Sequence, residues 1–114
     1  MIRRCDSKDT DKILEYVKPH VGECMYLYID IKKYGLDDEF LKSWIDEKNG
    51  ECTLAMMKYH TGIVLYTGDP DWDIDGVIEI LREEKPNSLT ARRDLIESLH
   101  ERMSDEYDDD YGLV

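Results

Sequence analysis

The stretch from Phe40 to Tyr66 constrains the fold more than any other, because several strand signals follow one another there with turn chemistry between them. Phe40 to Ile45 is a mixed apolar run, and Lys48-Asn49-Gly50 after it carries the Asn-Gly pair suited to a two-residue hairpin turn with positive φ. Glu51 to Tyr59 then alternates Cys52, Leu54 and Met56 on one face with Thr53, Ala55, Met57 and Tyr59 on the other. Such a strand is apolar on both sides, as when helices cover one face and another layer or chain covers the second. His60-Thr61-Gly62 makes a second turn into Ile63-Val64-Leu65-Tyr66, β-branched and aromatic enough for a third strand. A three-stranded antiparallel meander is expected, with helices laid against it.

At 114 residues the chain has the length of one domain, read as 1–104, with an acidic tail at 105–114. A net charge of −12 argues against nucleic acid and anionic membrane as partners, because phosphate would be repelled. No apolar run approaches a membrane span, and Met1-Ile2-Arg3-Arg4 lacks the apolar segment of a signal peptide, so a cytoplasmic location is expected.

In chain order, Met1 to Cys5 reads as a short strand. Asp6 and Ser7 can cap a helix over 8–18 with Ile13, Leu14 and Val17 inward, which Pro19 stops. A second helix over 23–34 repeats Cys24, Leu27, Tyr28, Ile31 and Tyr34 at helical spacing, with Gly35 where an αL cap belongs. Leu36 to Glu39 is a polar connection into the meander. Beyond the meander, a helix over 75–84 buries Val77, Ile78 and Leu81, with Ile74 on the same stripe. Ser88 to Thr90 is a fourth or edge strand, and a helix over 92–103 turns Leu95, Ile96 and Leu99 inward. The tail is acidic, carries Tyr107 and Tyr111, and ends on an apolar trio that reads as the start of another strand. The class is α+β: one antiparallel sheet with flanking helices, in the order β-α-α-β-β-β-α-β-α.

Asp69, Asp71, Asp73 and Asp75 alternate before Gly76, and from Asp71 onward the pattern matches D-x-D-x-D-G, the start of a calcium loop. The position that should close the cage with a bidentate carboxylate holds Arg82, so the better reading is a helix start, where the macrodipole favours acidic residues. No metal site is assigned. His20, His60 and His100 share no helical spacing, and packing is the reading for Cys5, Cys24 and Cys52, which have no neighbouring base in the sequence. With 27 Asp plus Glu, some carboxylates will lie close in any fold, so proximity alone identifies no acid–base pair. The tyrosines Tyr26, Tyr28, Tyr34, Tyr59 and Tyr66, with Trp44 and Trp72, read as core or interface.

The succession of Met1 to Arg4, Asp9 to Tyr16 (DTDKILEY), Tyr28 to Asp37, Trp44 to Tyr59, Ile63 to Tyr66 and Lys85 to Arg93 resembles the N-terminal lobe of bacterial, two-lobed GNAT-type acetyltransferases. The resemblance implies acetyl-CoA as the cofactor of a complete member, cradled on backbone N–H groups in a [Q/R]-x-x-G-x-[G/A] turn at a helix N-terminus. This chain has no glutamine, and none of Arg3, Arg4, Arg82, Arg92, Arg93 or Arg102 has glycine three residues later. No catalytic or cofactor-binding residue carries over, so no cofactor is expected in this chain. The resemblance implies a lobe that shapes the acceptor-substrate side, inactive alone and completed by a C-terminal lobe beyond Val114. The alternative is a free-standing acidic module that pairs with a second copy through the meander face around Met56, Met57 and Tyr59.

Overall fold

The computed structural model describes residues 2–36 and 39–103. The expectations for Met1, for the Asp37-Asp38 part of the connection, for the Cys24 side chain and for the acidic tail lie outside what is described.

The elements are β1 (Arg3–Arg4), α1 (Thr10–Val17), α2 (Val21–Tyr34), β2 (Leu41–Lys48), β3 (Glu51–Tyr59), β4 (Gly62–Thr67), α3 (Ile74–Glu84), β5 (Ser88–Thr90) and α4 (Arg93–Met103). This is the α+β order read from the sequence. One five-stranded sheet runs β1-β2-β3-β4-β5, antiparallel except at its last pair. β5 lies parallel to β4, which corrects the expectation of an all-antiparallel sheet. The reason is connectivity: α3 returns the chain to the end where β4 began, so the next strand runs the same way, as a βαβ crossover requires. None of the helices among the described residues is long and apolar enough to cross a membrane.

The hairpin turn forms where Asn49-Gly50 places it, with φ of 54° and 81°. Both faces of the meander are covered. Leu54, Met56, Leu65 and Trp44 pack with Val77, Leu81, Leu95 and Leu99 of α3 and α4. Ala55, Met57, Ile45 and Tyr66 pack with Ile13, Val17, Leu27 and Ile31 of α1 and α2. Met56 and Met57 are therefore buried on opposite sides, at 0% and 1% exposure, and the meander face proposed for pairing with a second copy is closed by the chain's own helices.

Three local details differ from the pattern read in the sequence. The β2–β3 register skips at Asp46/Glu47, leaving Thr53 as an extra residue on β3, so Cys52 moves to the face of Ala55 and Met57 instead of that of Leu54. Gly35 has φ 75° and ψ 179°, outside the αL region, although its N–H still closes α2 on the Ile31 carbonyl at 2.8 Å. Leu36, placed in a polar connection, is buried, and Tyr34, placed on the buried stripe of α2, is exposed.

At the start of the chain, Asp6 and Asp9 form a capping box over a 3-10 turn at Ser7–Asp9, which leads into α1. The second 3-10 turn, Lys18–His20, contains Pro19 and joins α1 to α2 almost without a break. Arg3 reaches both Asp9, at 2.8 and 3.0 Å, and Glu47, at 2.9 Å. These hydrogen bonds from Arg3 hold the Asp9 carboxyl down at about 2. A depressed carboxyl adds stability above its unfolded value and loses it on protonation, so stability should fall as pH drops from about 3.8 through about 2. Asp9→Asn should flatten that part of an acid-unfolding curve followed by circular dichroism; an unchanged curve would contradict the assignment.

Candidate functional site

A cleft of about 330 Å³ opens where the parallel strands β4 and β5 end, lined by Gly68, Asp69, Pro70 and Trp72 from the β4–α3 connection, Arg92 from the β5–α4 connection and Asp94, Leu95 and Ser98 of α4. Parallel strands pointing into two helix starts make such a crevice a usual ligand position. β4 pairs with β5 only through Val64, opposite Thr90, so Leu65, Tyr66 and Thr67 run on past the end of β5. Arg92 lies beside this stretch, its guanidinium 6.0 Å from the Tyr66 ring centroid and its Nε 2.6 Å from Asp94 Oδ1. The Arg92 hydrogen bond keeps Asp94 below the usual carboxylate range.

The cleft's first wall is positioned by the β3 irregularity. The Thr53 carbonyl accepts hydrogen bonds from the Tyr16 hydroxyl at 2.7 Å and the Thr67 hydroxyl at 2.6 Å. Tyr16 in turn accepts from the Gly68 N–H at 3.2 Å, and Thr67 accepts from the Asp69 N–H at 3.1 Å. Burial pushes the Tyr16 hydroxyl up, so it stays protonated and able to donate. One extra strand residue thus fixes where the loop begins.

Of the alternating aspartates only Asp69 lines the cleft, and the others lead into the start of α3. Asp73 is the N-cap of α3, its Oδ1 accepting from the Gly76 N–H at 3.0 Å. Asp69 pairs with Lys48 and accepts from the Asp71 N–H at 2.9 Å, while Lys48 also donates to the Asp71 carbonyl at 3.0 Å. Asp75 pairs with Arg102 at 2.7 Å. Asp71, Asp73 and Asp75, the calcium-loop lookalike, therefore do not converge: the structure supports the helix-start reading, and the cation at the loop is the Lys48 ammonium. Among the described residues no three His, Cys, Asp or Glu side chains are placed to hold a metal. A Cβ at Gly76 would lie 2.5 Å from Asp73 Oδ2, so a side chain there would compete with the capping carboxylate for the same space.

The other candidates are dispersed. His20 stacks on Tyr66 at 5.0 Å, beside Tyr16. His60 stacks on Phe40 at 5.0 Å and meets Tyr59 edge-on, and Tyr59 stacks on Tyr34, at the opposite end of β4. Tyr26 is exposed and Tyr28 half-buried. Burial raises the Cys5 thiol to about 12 and the Cys52 thiol to about 11, the reverse of an activated nucleophile. Native protein at pH 8 should therefore take up iodoacetamide at the buried Cys5, and to a lesser degree at the half-buried Cys52, more slowly than urea-unfolded protein, read by peptide mass spectrometry; equal rates at Cys5 would overturn its buried placement. Sequence reasoning missed the cleft itself. Trp72 stood only as a spacer in the aspartate pattern and Arg92 only beside a helix start, and the strand after α3 was the one hint that these two places would meet.

No family model and no curated protein matches the sequence. Solved structures do match. A ribosomal-protein-alanine N-acetyltransferase from Brucella melitensis biovar Abortus 2308 superposes with a TM-score of 0.63 at 13% identity, covering 100% of this chain and 96% of that one. A predicted acetyltransferase with acetyl-CoA from Clostridium acetobutylicum gives 0.57 at 14% identity, covering 100% and 94%. An aminoglycoside acetyltransferase from an uncultured soil metagenomic sample, in complex with trehalose, gives 0.59 at 12% identity, covering 100% and 91%. The match runs through all of this chain and nearly all of each neighbour, at identities that speak for architecture alone: the chain has the fold of the GNAT-type acetyltransferases.

Proposed function

We propose that this chain is a GNAT-fold lobe that does not hold acetyl-CoA, and that it shapes the acceptor-substrate side for a lobe that does. The observation that carries the reading is the start of α3. A phosphate cradle needs bare backbone N–H groups and glycines at a strand-to-helix turn. α3 follows a strand and has Gly68 before it and Gly76 in its first turn, but the Asp73 carboxylate already takes the Gly76 N–H. Asp69, Asp71 and Asp75 add negative charge around it, with Lys48 and Arg102 each spent on one of them. A pyrophosphate there would have to compete with the Asp73 carboxylate for the Gly76 N–H amid like charge, so the residues present do not fit acetyl-CoA.

The cleft also carries the Trp72 ring, a surface of the kind an ammonium group takes, beside Asp69 and Asp94, which are themselves paired with Lys48 and Arg92. The neighbours' named acceptors, a ribosomal protein's alanine and aminoglycosides, are of the amine class, which agrees with an acceptor-side role.

Calorimetric titration of the chain with acetyl-CoA tests the reading. No saturable binding is expected up to about 1 mM, the upper end of ordinary substrate affinities. Saturable binding below that, or release of CoA thiol by the chain alone with an amine acceptor, would overturn it in favour of a self-sufficient acetyltransferase.

A further inference from the structure

We draw no further inference here: the strongest candidate, the outer face of α2 with its exposed Val21, Met25, Tyr26 and Ile29, is an unpartnered apolar face, and nothing in the structure shows what covers it.

Discussion

Replacing Met57 by aspartate should unfold the protein or bring it close to unfolding, and Met56→Asp should do the same from the other side of the sheet. Each methionine sits on β3, the middle strand, with no more than 1% of its surface exposed, Met56 under α3 and α4 and Met57 under α1 and α2. A carboxylate in either place is charged, dry and without a partner, which costs about 3–5 kcal/mol or more. Domains of this size hold a total stability of about 5–15 kcal/mol. The expected loss in Tm is at least about 12 °C, given about 4–8 °C for each kcal/mol. Met25→Asp is the control, since Met25 is 50% exposed on α2 and should change stability by no more than about 0.5 kcal/mol. Thermal and urea unfolding by circular dichroism reads all three. If Met57→Asp proved as stable as Met25→Asp, one face of the meander would be open, and pairing of two copies through it would regain its footing.

That contrast also shows where sequence patterning stops. Alternation in Glu51 to Tyr59 was legible because both sets of alternate residues are apolar, which places the strand in the middle of the sheet with cover on each side. The same pattern could not say who supplies the cover. A second copy and the chain's own helices make identical demands on Met56 and Met57, and only the packing of α3 and α4 on one face and of α1 and α2 on the other decides between them. The skip at Thr53 was invisible for a related reason. Threonine is an ordinary strand residue, and its displacement depends on Tyr16 and Thr67, distant in sequence, both needing an acceptor. The cleft inherits that obscurity, because its walls come from the β4–α3 connection and from the start of α4 with Arg92 before it, joined by no motif. The start of α3 was legible as an acidic helix start read at Asp75, one residue late, while its N-cap, Asp73 bonded to the third helical amide at Gly76, came only with the structure.

The coupling between Asp73 and Gly76 predicts a change of sign. Glycine inside a helix is ordinarily worse than alanine by about 0.8–1.0 kcal/mol, so Gly76→Ala on an open helix face would stabilise the protein. Here the new methyl would come within 2.5 Å of Asp73 Oδ2 and 3.1 Å of Ile2 Cδ1, and the carboxylate would have to swing off the Gly76 N–H to admit it. Loss of an N-cap costs about 0.5–2 kcal/mol, enough to cancel or exceed the gain in backbone propensity. Gly76→Ala alone should therefore be neutral to destabilising, and Asp73→Ala alone destabilising by about 1 kcal/mol. In the Asp73→Ala background the obstruction is gone, and adding Gly76→Ala should raise stability by close to the full propensity difference, a coupling of about 1 kcal/mol or more in a double-mutant cycle. Urea unfolding of the four proteins measures it. Additive effects would mean that the Asp73 carboxylate does not occupy the helix start, and with it would go the physical reason for excluding a phosphate from that place.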